Sequence, residues 1–180
     1  MNLSTPEKKR KPSKKITKTR LYNIGLYYLQ RFESSVQNLR NVLRRRVDRY
    51  AFENKEFDKL EAYGWIEELL EDFAQKNYVS DERYGAIKIR DYINSNKPVR
   101  YIKNKLKTKG IDEKTIDALI ENENIDEAQM AFNFAKKKKI GPFRKDEEEA
   151  AQNFQKDMAS MLRAGFSYDV VIALMDEHFN

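Results

Sequence analysis

Gly110-Ile111-Asp112-Glu113-Lys114-Thr115-Ile116-Asp117-Ala118-Leu119-Ile120 and Gly165-Phe166-Ser167-Tyr168-Asp169-Val170-Val171-Ile172-Ala173-Leu174-Met175 write the same corner twice. In each copy a glycine, free to enter the left-handed region, closes one helix. Two places on, Asp112 or Ser167 is a good N-cap for the next. The residue between is apolar. Counted from these caps, Ile111 with Ile116 and Phe166 with Val171 have the spacing of a hydrophobic staple. A repeated corner implies a repeated supersecondary unit. Repeat architectures build extended interaction surfaces in preference to a single catalytic cleft.

Reading outward from the corners, apolar periodicity predicts an all-α chain of about nine helices. The first begins near Lys18 and carries Leu21, Tyr22, Ile24, Tyr28 and Leu29. Ser34 with Gln37 has the form of a capping box opening a second, through Val36, Leu39 and Leu43. A first-unit corner is expected at Val47-Asp48-Arg49, without a glycine, followed by a longer helix from about Glu53 to Lys76 that contains Gly64. Ser80-Asp81-Glu82 opens the fourth helix. Pro98 suits the first turn of the fifth. After Gly110 come a short sixth helix, a seventh opening at Asp126 with Gln129, a break at Gly141-Pro142, an eighth over Lys145 to Arg163, and a ninth from Ser167.

These helices group in threes. Val36-x-x-Leu39-x-x-x-Leu43 matches Val99-x-x-Ile102-x-x-x-Leu106, and Asp81-Glu82 and Asp126-Glu127 each open a unit. The expected organisation is a basic tail over 1–18 and three tandem three-helix repeats over 19–79, 80–122 and 123–180. Stacked units of this kind would form an elongated, curved body.

Composition narrows the function. The chain has 180 residues, 36% charged and 40% apolar, with only six glycines and four prolines, which suits helices. With no cysteine, disulfide frameworks, zinc-thiolate sites and cysteine nucleophiles are excluded. The one histidine, His178, lies at the chain end, so no His-based triad or metal cluster is expected. No apolar run is long enough to span a bilayer, and the chain start lacks a signal peptide's apolar stretch, so a cytoplasmic protein without membrane contact is expected. No Walker or dinucleotide-type glycine loop is present. The carboxylates Glu67, Glu68, Glu71 and Asp72 share a charge-rich helix and read as a solvated face, not an acid–base pair. No cofactor and no catalysis are expected.

The order of motifs resembles the RecX family, bacterial regulators of the RecA recombinase. Asn77-Tyr78-Val79-Ser80-Asp81-Glu82-Arg83-Tyr84 is similar to a family segment that begins with glycine; Leu106-Lys107-Thr108-Lys109-Gly110-Ile111 and Arg163-Ala164-Gly165-Phe166-Ser167-Tyr168-Asp169-Val170-Val171 are similar to its second- and third-unit corners. The resemblance runs from about Arg20 to Met175. It implies a three-repeat helical protein without enzyme chemistry. It further implies binding in the groove of the RecA nucleoprotein filament and suppression of ATP hydrolysis, strand exchange and co-protease function. Asn77 replaces the usual glycine, and Asn tolerates the left-handed conformation.

The formal net charge is +6. Two concentrated basic faces are candidates for filament or DNA contact: Arg44, Arg45 and Arg46, expected at the end of the second helix, and Lys97, Arg100, Lys103, Lys105, Lys107 and Lys109 on and around the fifth. Arg100, Lys103 and Lys107 lie along one side. Both faces also have a bland account, as solvated cations near helix C-termini. The partner expected is the RecA filament, with single- or double-stranded DNA contacted directly as a further possibility, and the chain is expected to be a monomer. The alternative is a helical nucleic-acid-binding protein that works without RecA.

Overall fold

The computed structural model describes residues 14–176, and among them every regular element is helical. The chain divides into two compact units, Met1–Val79 and Ser80–Asn180.

The first unit contains α1 (Lys18–Leu29), α2 (Val36–Glu53) and α3 (Lys59–Gln75). Thr17 caps α1 and Ile16 is buried in the core, so the stretch read as tail contributes to the fold at its end. Leu21, Leu39, Leu43, Val47, Ile66 and Phe73 are fully buried together. Each contributes about 1.5–3 kcal/mol relative to an exposed position. Helix α1 approaches α3 closely because Gly25 has no side chain: a Cβ there would lie 2.5 Å from Phe73 Cε2.

Three local expectations are corrected here. Ser35, not Ser34, caps α2, accepting from the Asn38 N–H at 3.1 Å; the Ser34 hydroxyl instead accepts from Asn38 Nδ2 at 3.0 Å. There is no corner at Val47-Asp48-Arg49. Val47 is a core residue in mid-α2, and burying it keeps the helix going to Glu53. The third helix accordingly starts later, where the Asp58 carboxylate caps it by accepting from the Glu61 N–H at 2.9 Å. Phe57 lies in the connection, edge-on to Tyr50. Gly64 does not interrupt α3; a Cβ there would meet open space.

The second unit contains α4 (Asp81–Asn94), α5 (Val99–Thr108), α6 (Glu113–Glu121), α7 (Glu127–Lys138), a 3₁₀ turn over Gly141–Phe143, α8 (Glu147–Ala164) and α9 (Tyr168–Asp176). It has two apolar clusters. Tyr84, Ile89, Ile102, Leu106, Ile111 and Ile116 pack together from α4 to α6, and Met130, Ala135, Met161, Phe166, Val171 and Met175 from α7 to α9. Ile93 packs against both and joins them. The Val36/Leu39/Leu43 pattern and its Val99/Ile102/Leu106 counterpart have the same burial: a half-buried valine, then two core residues. The staple residues are buried as their spacing requires.

The corners close as Schellman motifs, which satisfy carbonyls left over at a helix end. Gly110, at φ 80°, donates to Lys107 O at 2.9 Å while Ile111 reaches Leu106 O at 3.3 Å. Gly165, at φ 109°, donates to Leu162 O at 3.0 Å while Phe166 reaches Met161 O at 3.3 Å. Asn77, at φ 55°, closes α3 in the same way through Tyr78 to Phe73 O at 2.8 Å. Asn96 and Lys139 also occupy the left-handed region and close α4 and α7.

A buried ion pair fixes the turn between α7 and α8. Asp157, 2% exposed, accepts from Gly141 N–H at 2.8 Å and from Arg144 Nε and Nη2 at 2.7 and 2.8 Å. Burial pushes its carboxyl pKa up, but Arg144 and the Gly141 amide outweigh burial and hold it below the ordinary value.

Candidate interaction surface

Helix α5 is short, amphipathic and basic on its open side, and its N-terminus is built from neighbouring elements. Pro98 is the N-cap, just outside the first turn where it was expected, and a proline offers no side-chain cap. Glu127, at the start of α7, lines the same surface as Val99, and the nearby Val99 N–H favours its charged carboxylate. Burial raises the Glu127 pKa, and the neighbouring Val99 N–H partly opposes the rise. On the α8–α9 side, Gly165 lies against α5. A Cβ on Gly165 would lie 3.4 Å from Pro98 Cγ and 3.5 Å from Tyr101 N, so the corner glycine serves both a positive φ and a close approach.

The result is an open groove of about 540 Å³ between the basic side of α5 and the α8–α9 corner. Arg100, Lys103, Asn104 and Lys107 line one wall, and Phe166, Ser167 and the exposed Tyr168 line the other. The expected three-then-four spacing thus brings Arg100, Lys103 and Lys107 to one surface. They are not electrostatically equal. Lys103 pairs with Asp117 at 2.7 Å and Lys107 with Glu113 at 2.7 Å, both acids on α6. Arg100 is exposed and makes no ion pair among the described residues. Exposed pairs of this kind are worth about 0–1 kcal/mol, so an anionic partner can take over either lysine. Lys97 and Lys105 flank the Tyr101 ring at 5.1 and 5.3 Å from its centroid, and Lys109 is the C-cap of α5.

The second basic face is placed differently from expectation. Arg44, Arg45 and Arg46 are interior residues of α2, whose end is at Glu53, so the helix macrodipole does not account for them. Arg44 is committed internally: Nη2 lies 3.1 Å from Glu67 Oε1, and the guanidinium sits over the Tyr63 ring at 4.8 Å. Arg45 is exposed and donates to Asn41 O at 3.2 Å. Arg46 is exposed and unpaired among the described residues.

The acidic run on α3 is a pairing face more than a solvated one. Glu67 receives both Arg40 and Arg44, Glu68 meets Lys18, and Asp72 meets Lys76 at 2.8 Å. The Arg40 hydrogen bonds hold the Glu67 pKa below its usual range despite burial. Among the described residues no group of His, Cys, Asp and Glu could hold a metal ion, and no helix is long and apolar enough to cross a membrane. His178 lies outside the described residues.

No family model matches the chain. The regulatory protein RecX of Myxococcus xanthus is 30% identical over 179 residues, covering 96% of this chain and 95% of the relative. This chain belongs to the RecX family. A second RecX, from Agrobacterium fabrum, is 29% identical over 154 residues, covering 85% of this chain and 80% of its own. Two RecX crystal structures share the fold. One aligns at TM-score 0.66 with 21% identity over 88% of this chain and 71% of its own. The other, from Lactobacillus salivarius, aligns at 0.65 with 24% identity over 89% of this chain and 95% of its own.

In this RecX chain several residues that matter to the two faces have no strong sequence signal. Glu127 reads as an ordinary first-turn acid of α7, yet it lines the α5 groove beside Val99. Asp117 and Glu113 temper the α5 lysines from another helix. Arg49 continues the Arg46 side of α2 at i+3, a spacing visible only once α2 is known to run past Val47.

Proposed function

We propose that this chain regulates the RecA recombinase by binding the RecA–DNA filament in its groove, lowering ATP hydrolysis, strand exchange and co-protease function. The observation that carries the reading is its likeness to a protein named as regulatory RecX along 96% of the chain. The α5 groove is the proposed contact surface. Arg100, Lys103 and Lys107 supply positive charge to phosphate or to acidic protein, beside the exposed ring of Tyr168. Lys97, Lys105 and Lys109 extend this face, and Arg45 and Arg46 form a second, outlying one, with Arg44 steadying α2 beneath it. The division into three repeats, 19–79, 80–122 and 123–180, belongs to the same proposal and is supported by the three apolar clusters.

A RecA-independent reader of duplex DNA is less well supported. The helices that follow the two corners, α6 and α9, contain no arginine in their described residues, whereas a recognition helix displays base-reading side chains. Titrating the purified chain into RecA assembled on single-stranded DNA tests the proposal. Hydrolysis should fall at stoichiometric or lower ratios. Unchanged hydrolysis and strand exchange, with tight sequence-selective binding to duplex DNA alone, would replace this reading with the alternative.

A further inference from the structure

The first unit holds a basic pocket unrelated to the α5 groove. It has a volume of about 380 Å³ and is lined by Lys14, Arg20, Arg46, Arg49, Tyr50 and Glu53, with Ile16 and Ile24 as its apolar floor. Arg46, Arg49, Tyr50 and Glu53 follow i, i+3, i+4 and i+7 spacing, so α2 presents them as one stripe. Arg20 and Ile24, one turn apart on α1, face that stripe across the pocket. Four cations against one carboxylate, Glu53, leave a local charge of about +3.

What sets these four apart is that they share one pocket, since Lys15, Arg31, Arg45 and Lys55 of the same unit also make no ion pair among the described residues. Elsewhere in the unit Lys18, Arg40, Arg44, Lys59 and Lys76 each meet a carboxylate. Lys14, Arg20, Arg46 and Arg49 make no ion pair among the described residues. Arg20 Nε is moreover a buried donor with no hydrogen-bond partner. A buried donor without an acceptor is costly, and like charges crowded round one cavity repel. An anion seated in the pocket relieves that repulsion.

We propose that this pocket binds a phosphate group. The cluster suits phosphate better than a single carboxylate on two counts. Three guanidinium forks can serve several anionic oxygens at once, and the excess charge matches a multiply charged or repeating anion. The phosphate can be free or part of a nucleic-acid strand. The proposal does not rest on the RecA reading, and its test contains no RecA.

The test uses the full chain with two probes, inorganic pyrophosphate by calorimetry and a fluorescein-labelled oligo-dT strand by anisotropy. The main variant is Arg46→Gln/Arg49→Gln, since both side chains are exposed and their loss leaves the core intact. Arg20→Gln is the second, and Lys55→Gln, outside the pocket, is the control; thermal melting verifies folding in each. Pyrophosphate should bind the wild type and the control, with affinity weakened about tenfold or more in the double variant. If the strand also binds and pyrophosphate competes with it, the source is nucleic acid. Its salt slope should then fall by about 1.4 in the double variant, for two lost phosphate contacts. If pyrophosphate alone binds with this dependence, the source is a free phosphate. Pyrophosphate binding that is absent, or unchanged in both pocket variants, would overturn the proposal. So would binding of polyglutamate in place of pyrophosphate with the same dependence.

Discussion

Replacing Asp157 should produce the largest loss of stability of any single polar substitution in the second unit. Its carboxylate is buried and accepts three hydrogen bonds, from the Gly141 amide and two Arg144 nitrogens, at 2.7–2.8 Å. Asp157→Ala leaves the Gly141 N–H and much of the Arg144 guanidinium without a partner. Breaking a buried pair by removing one member typically costs about 3–5 kcal/mol. The lower end applies here, about 3 kcal/mol, because Arg144 keeps Glu149 at 2.7 Å. Asp157→Asn keeps the shape and one acceptor and should cost less, about 1–2 kcal/mol.

The carboxylate also makes the effect pH-dependent, with a definite sign. The folded pKa of Asp157 lies below its unfolded value, so its stabilisation is complete above the unfolded value, near 3.8, and is lost as pH falls through the folded pKa. The gap between wild type and Asp157→Asn should therefore be constant from pH 7 to about pH 5 and shrink below pH 4. Urea denaturation followed by far-UV circular dichroism measures it. Trp65, the one tryptophan, reports only on the first unit by fluorescence. A cost under about 1 kcal/mol for Asp157→Ala, or a gap to Asp157→Asn that is the same at pH 3 and pH 7, would refute the reasoning.

Four further substitutions probe other parts of the molecule. Gly25→Ala should destabilise the first unit by about 1–3 kcal/mol through overpacking against Phe73, and Trp65 fluorescence in urea should register it; a neutral result would mean that α1 and α3 can separate without cost. Lys139 holds a left-handed conformation at φ 53°, so Lys139→Gly should raise stability by about 0.5 kcal/mol after the entropy of the added glycine, seen as a small rise in Tm; a fall would mean the lysine side chain is needed there. Arg100→Glu should weaken filament binding more than Lys103→Glu, because Arg100 has no acid to release while Lys103 already shares Asp117. Equal losses in a binding titration at several salt concentrations would contradict that ranking.

The repeated glycine corners were legible because glycine, cap and staple residues all lie within a few positions of one another, and the structure closes both as written. Asn77 was legible only through the family resemblance, in which a glycine stands at that position. Asn96 and Lys139 were not. Asn tolerates the left-handed region, but at Asn96 no family glycine marked the position, and Lys139 ends a run of lysines that suggests only a helix terminus. The end of α2 was misplaced because Val47-Asp48-Arg49 aligns with the other corners, whereas burial of Val47 in the three-helix core overrides that local analogy. The stripe of Arg100, Lys103 and Lys107 followed from helical spacing alone. Its unequal pairing did not, since Asp117 and Glu113 come from a different helix. The pocket of Arg20, Arg46 and Arg49 was hidden similarly: it needs α1 and α2 side by side, and Arg44 and Arg46 are indistinguishable in sequence although Glu67 takes only the former.

A density map of this chain on a RecA–DNA filament tests the central claim most directly. The basic side of α5 should face the filament groove, with Arg100 against phosphate or an acidic RecA side chain and Tyr168 beside it. A map in which the chain sits on the filament with α5 turned to solvent, or in which no groove density appears under conditions where ATP hydrolysis is suppressed, would contradict it.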